Sequence, residues 1–183
     1  MKIGFIGVGA MAQAIIQGLL KAQFVPSQDI LVHSAHQQHY EKYAEQFGLT
    51  AEPTNQAVAK DSDLVVLAVV PKIAADVLAE IRGELSQKKT LISIVSGVSL
   101  NRLEELTDYN LPILRSLPNI NSEFGQGMTA VAANENLTGD RKARQLRCMK
   151  QRAASVSLMK ANLPHSAQFP GVLLPMLISS LIV

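Results

Sequence analysis

The sequence has no tryptophan, a single cysteine and only 4% aromatic residues. A lone thiol, Cys148, excludes a disulfide framework and agrees with a reducing compartment, so a cytoplasmic protein is expected. With few aromatic rings and a formal net charge of +2, the chain has neither a stacking platform nor a strong positive field, and no nucleic-acid partner is expected. No apolar run reaches the roughly 18 residues of a membrane span. The final stretch, GVLLPMLISSLIV, comes closest, and no membrane partner is expected. The apolar run behind Met1-Lys2 covers Ile3 to Val8 and breaks into glycines. It is shorter than the about 7–15 residues of a secretory core and reads as a buried strand. No metal is expected.

What is present is a chain of 183 residues with 48% hydrophobic and 17% charged side chains, enough for one sizeable packed domain. Short apolar strands alternate with helical segments. Strands are predicted at Lys2–Ile6, Asp29–His33, Leu64–Val69, Thr90–Val95, Leu111–Ser116 and Gly127–Ala133. Helices are predicted at Ala10–Lys21, Gln37–Phe47, Thr54–Lys60, Ile73–Leu85 and Leu100–Leu106. The LVVLAV run is apolar throughout, as a parallel strand covered on both faces must be. The alternation predicts an α/β fold, a Rossmann-like, doubly wound, mostly parallel sheet over residues 1–140.

Gly7-Val8-Gly9-Ala10-Met11-Ala12 forms G-x-G-x-x-A between the first strand and the first helix. Gly7 permits the tight turn, Gly9 lets backbone approach a pyrophosphate, and Ala12 keeps the helix close to the sheet. The helix start offers unpaired N–H groups and a partial positive charge to phosphates. No Gly-Lys-Ser/Thr follows, which excludes a P-loop. Binders of NAD usually carry Asp or Glu after the second strand to hold the ribose hydroxyls. Here the chain reads His33-Ser34-Ala35-His36-Gln37, with no acid and with Ser34 able to donate to a 2′-phosphate. NADP is the expected cofactor, with NAD left open because no arginine stands beside Ser34.

Four segments in order then carry a family resemblance: GFIGVGAMAQAIIQGLL at 4–20, SDLVVLAVVPK at 62–72, SIVSGVSL at 93–100 and LRSLPNINSEFGQGMTAV at 114–131. Over about residues 1–138 the chain resembles pyrroline-5-carboxylate reductase, the last enzyme of proline biosynthesis. The resemblance implies hydride transfer from NAD(P)H to the C=N bond of a cyclic imino acid. It implies that Ala68, Val69, Pro71 and Lys72 lie against the cofactor and that Asn55 reaches the adenosine ribose or its phosphate. It also implies that Ser96 and Gly97 line the nicotinamide end, with Pro118 and Asn119 facing substrate. The chain departs from the family's A-V-K-P-Q at Val70 and Lys72, and Leu117 replaces a common methionine.

After about residue 140 the pattern stops. Arg141, Lys142, Arg144, Arg147, Lys150, Arg152 and Lys160 make residues 141–183 a basic then apolar tail, expected to fold poorly. The family's second half is helical, carries a Ser-Pro-Ala-Tyr signature, and supplies the dimer interface and most of the substrate pocket. No such string occurs in this frame. Codons allowed for GVLLPMLISSLIV, read one base earlier, spell GSSPAYAYLFIDS, which recovers the signature. A frameshift upstream is therefore expected, leaving a truncated reductase without catalytic residues of its own and without its homo-oligomer interface. The alternatives are a non-catalytic dinucleotide-binding remnant, a partner for an intact paralogue, or a related reductase of the 6-phosphogluconate dehydrogenase-like group.

Overall fold

The structure, a computed structural model, describes residues 1–118, 127–137 and 153–158. Eight strands form one sheet in the order β3-β2-β1-β4-β5-β6-β7-β8. The strands are β1 (Ile3–Ile6), β2 (Ile30–His33), β3 (Thr50–Ala51), β4 (Leu64–Leu67), β5 (Thr90–Ser93), β6 (Ile113–Pro118), β7 (Gly127–Ala133) and β8 (Ala153–Leu158). The helices are α1 (Ala10–Lys21), α2 (Gln37–Phe47), α3 (Asn55–Asp61), α4 (Ala74–Ile81) and α5 (Leu100–Leu106). Neighbouring strands run parallel except β6 and β7, which are antiparallel. This is the doubly wound, mostly parallel sheet that the strand–helix alternation predicts.

Each strand residue faces one of two cores, because side chains alternate across a pleated sheet. Ile3, Phe5, Leu64, Val66 and Ile92 pack with Ile15, Ile16 and Leu19 of α1 and with Tyr40 and Tyr43 of α2. Ile6, Val65, Leu67, Leu91 and Ile113 pack with Val58 of α3, Leu78 and Ile81 of α4, and Leu103 of α5. Burial on both faces explains why these strands are apolar without interruption. Gly4 faces α3 so closely that a Cβ there would lie 2.5 Å from Val58 Cγ1 and collide with Ser62 Oγ. The glycine of IGFI is thus what allows α3 to seat on β1.

Several boundaries differ from those predicted. The helix expected over Ile73–Leu85 is three pieces: a 3-10 turn at Pro71–Ile73, α4, and a second 3-10 turn at Arg82–Glu84. Pro71 stands at the start of the first turn, where its missing N–H costs nothing. The strand expected to Val69 ends at Leu67, and the one expected from Leu111 begins after Pro112. β3 has two residues, too short to leave a periodicity in the sequence. β8 lies inside the stretch 141–183 and pairs with β7 in parallel, with an irregularity at Gly127/Met128. The rest of that stretch, including Cys148 and the apolar end, lies outside the described residues.

Candidate dinucleotide site

Parallel register brings the C-terminal ends of the central strands level: Ile6 sits opposite both His33 and Leu67, and Leu67 opposite Ser93. The segments that follow these strands (Gly7–Ala12, Ser34, Ala68–Pro71 and Ser96–Gly97) therefore gather along one edge. Strand order reverses between β1 and β4, the point at which open α/β sheets leave a crevice for ligands.

Gly7 leaves β1 with φ at +97°, and its N–H donates to the His33 carbonyl at 2.8 Å. Its half-buried neighbour across the crevice is Ala68, whose N–H donates to the Ile6 carbonyl at 2.8 Å. Gly9 is exposed, in extended conformation at the N-cap of α1, and a Cβ there would meet nothing within 4 Å. α1 has no capping side chain and no acid in its first turn, whereas Thr54 caps α3 by accepting from Ala57 N–H, and Ser99 caps α5 by accepting from Arg102 N–H. Ala10 is exposed, Met11 half-buried, and Ala12 buried against the sheet. An uncapped helix start with open space before it accommodates a pyrophosphate: backbone N–H groups and the helix dipole supply the attraction.

On the other side of the reversal, Val69 is half-buried, while Pro71 and Lys72 are exposed in the 3-10 turn. Val70, where the resembled family carries lysine, is 62% exposed. Ser96 and Gly97 form an exposed turn beyond β5, Gly97 with φ at +74°. Asn55 opens α3, and its amide donates to the Glu80 carboxylate of α4 at 2.8 Å. Pro118 ends β6, paired with Thr129 of β7; Asn119 lies outside the described residues. In the R-x-x-P-N segment, Arg115 is half-buried opposite Ser93, and its Nε has no partner among the described residues. Burial pulls its guanidinium below the usual range. Ser116 is fully buried, its hydroxyl likewise without a partner among the described residues.

Beyond β2 an open cavity of about 390 Å³ is lined by His33, Ser34, Gln37, Tyr40, Glu41 and Glu52, among others. Sequence reading placed Ser34 there but not the two carboxylates. Glu52 arrives because β3 pairs with β2 and its N–H donates to the Val32 carbonyl at 2.9 Å. Glu41 sits one turn into α2, held by the Gln37 amide at 2.8 Å. Burial raises the Tyr40 phenol above its ordinary range, with Glu41 and Glu52 adding to the effect. Nothing in the sequence signals this cluster, since it depends on the two-residue β3.

The glycine turn, the sheet reversal and the uncapped α1 together define a Rossmann-type dinucleotide-binding domain. The chain belongs to the family described as NADP oxidoreductase, coenzyme F420-dependent, whose signature matches residues 2–97. It is 36% identical over 138 residues to the pyrroline-5-carboxylate reductase of Escherichia coli K12, covering 75% of this chain and 51% of that protein. Among solved structures it resembles a pyrroline-5-carboxylate reductase from Coxiella burnetii (TM-score 0.81, 30% identity, 86% of this chain, 58% of that one). It also resembles the Plasmodium falciparum pyrroline carboxylate reductase with NADP bound (TM-score 0.78, 25% identity, 88% of this chain, 58% of that one). The chain spans about half the length of the curated relatives it matches.

Proposed function

We propose that this chain is the dinucleotide-binding half of a pyrroline-5-carboxylate reductase, binding NADPH at the strand edge between β1 and β4. The observation that carries the reading is Gly9 at the uncapped start of α1, opening onto free space at the point where strand order reverses. NADPH, when bound, supplies the hydride for the C=N carbon of a cyclic imino acid, giving proline. The residues of this chain bind and orient: Gly7 to Ala12 hold the pyrophosphate, and Ala68, Val69, Pro71 and Lys72 line the cofactor. Ser34 and Asn55 serve its adenosine end. Ser96, Gly97, Pro118 and Asn119 border the nicotinamide and substrate side. For Asn55 to reach the ribose, its amide must leave Glu80.

Turnover is assigned to the intact enzyme. The substrate pocket and the homo-oligomer interface belong, on this reading, to the family's helical second half. The protein is cytoplasmic, and the stretch is translated out of frame. Two measurements test this. Titrating the purified chain with NADPH should give saturable binding that Gly9→Ala weakens, with no NADPH oxidation on adding the imine. Resequencing the coding DNA through codons 135 to 183 should reveal a base change that restores Ser-Pro-Ala-Tyr. Absent binding refutes the cofactor site, and an unbroken frame refutes the frameshift. A non-catalytic dinucleotide binder is the second reading, and imine-dependent turnover by the chain alone would eliminate it.

A further inference from the structure

The glycine turn carries a side-chain contact that the G-x-G-x-x-A motif does not call for. Gln13, half-buried at the end of the first turn of α1, donates from Nε2 to the Val8 carbonyl at 3.0 Å. Its backbone N–H donates to the Gly9 carbonyl, also at 3.0 Å. One residue thus grips the carbonyls of both Val8 and Gly9. Gln13 is itself held from behind. Its own carbonyl accepts from the hydroxyl of Tyr43 on α2 at 3.3 Å, and Tyr43 is buried in the core shared by α1 and α2.

The consequence falls on the peptide between Val8 and Gly9. A trans peptide is planar, with its C=O and N–H pointing in opposite directions. Fixing the Val8 carbonyl on Gln13 therefore turns the Gly9 N–H away from the Gln13 side chain. That N–H donates to no group among the described residues, and Gly9 is exposed, with open space where a Cβ would stand. Glycine makes such a hold necessary. Lacking a Cβ, it takes positive and negative φ about equally well, so an untethered Val8–Gly9 peptide can turn over. The observed φ at Gly9 is −75°. A flipped peptide presents a carbonyl oxygen to a pyrophosphate and repels it. The residue that lets backbone approach phosphate is thus the one least able to fix its own orientation.

We propose that Gln13 is a positioning residue of the phosphate turn, its side-chain amide locking the Val8–Gly9 peptide so that the Gly9 N–H is free to donate to the cofactor's pyrophosphate. Gln13 acts through the turn, by removing freedom that binding would otherwise have to freeze. The inference rests on the dinucleotide site proposed above.

The test uses the full 183-residue chain, with NADPH as the ligand. Gln13→Met keeps the length of the side chain and removes its donor. It should raise the NADPH dissociation constant about three- to tenfold, the worth of one hydrogen bond. Gln17→Met, one turn further along α1 and exposed, should leave that constant unchanged. The Gly9 amide resonance separates positioning from a merely structural role. In the unaltered chain NADPH should move it downfield, as an N–H moves on donating to phosphate. In Gln13→Met the movement at saturation should fall by at least about half. Should Gln13→Met fail to fold, the unaltered chain decides: the Gln13 side-chain amide protons should exchange with water more slowly than those of Gln17. Equal NADPH affinity in Gln13→Met and the unaltered chain overturns the assignment while leaving the dinucleotide site intact. So does a weakened affinity with the Gly9 movement unchanged, or exchange at Gln13 as fast as at Gln17. Absence of NADPH binding by the unaltered chain overturns the site itself, and this inference with it.

Discussion

A Cβ on Gly7 would collide with the carbonyl oxygen of Ala68 and lie 2.8 Å from its carbonyl carbon, so the chain ends leaving β1 and β4 close on each other with no room for a side chain. Because φ at Gly7 is also +97°, any other residue there meets two penalties at once. Gly7→Ala is therefore expected to lower unfolding free energy by about 1–3 kcal/mol, read as a fall in urea midpoint. Gly9→Ala meets no atom within 4 Å and should shift stability by less than about 0.5 kcal/mol. It should nonetheless weaken NADPH binding by roughly tenfold or more, since the new methyl occupies the approach to the phosphates. Equal loss of stability in the two variants would contradict this division of roles.

Asn134 joins the start of β6 to the end of β7. Its Oδ1 accepts from Ile113 N–H at 2.9 Å, and its Nδ2 donates to the Leu111 carbonyl at 2.8 Å. The residue is 6% exposed, so Asn134→Ala strands two backbone groups away from water. The expected loss is about 1–3 kcal/mol by chemical denaturation; a change near zero would mean that water replaces the amide.

Lys89 ties β5 to the end of α3. Its ammonium donates to the carbonyls of Ala59, Lys60 and Ser62 at 2.7, 2.6 and 2.8 Å. Burial pulls its pKa below the ordinary lysine range, with Asp63, Glu84 and Asp61 opposing that pull. Lys89→Met should cost about 1–3 kcal/mol through the unpaired helix-end carbonyls, while Lys89→Arg should recover part of it. Identical thermal midpoints for the two variants would count against the cap.

Tyr40 supplies a pH signature. Its phenol is raised above 10.0, chiefly by burial, with Glu41 and Glu52 adding to the shift. The folded form therefore keeps a proton that the unfolded chain releases at its ordinary value. This contribution is fully present below about pH 10 and is lost as pH climbs through the folded value. Tyr40→Phe should flatten the decline of thermal midpoint between about pH 9 and about pH 11, compared with the unaltered protein. Parallel declines would show that the phenol plays no part.

Much of this architecture is legible in the residues. The bounds of α1, α2, α5 and β7 coincide with the predicted segments, because caps, Gly48 at the end of α2 and apolar periodicity are local signals. The uninterrupted apolar strands announced burial on both faces, and G-x-G-x-x-A announced the turn at Gly7 and Gly9. Each of these follows from steric and hydrogen-bonding limits acting within a few residues.

Other features exist only once distant segments meet. Gly4 reads as a weakness in a strand until α3 fills its space. Glu52 enters the cavity through two residues of β3 pairing, and its backbone carbonyl meets the His33 ring from 19 positions away. Asn55 is turned toward Glu80, 25 positions along the chain, a partner its own neighbours do not disclose. β8 joins the sheet through contacts with β7 that its sequence, AASVSL, does not advertise. The sequence by itself determined the parallel sheet and the phosphate turn, since both are encoded in short-range backbone and packing preferences. Tertiary structure decided the charge pattern around the cavity beyond β2, because that depends on which backbone and side-chain groups the completed sheet brings together.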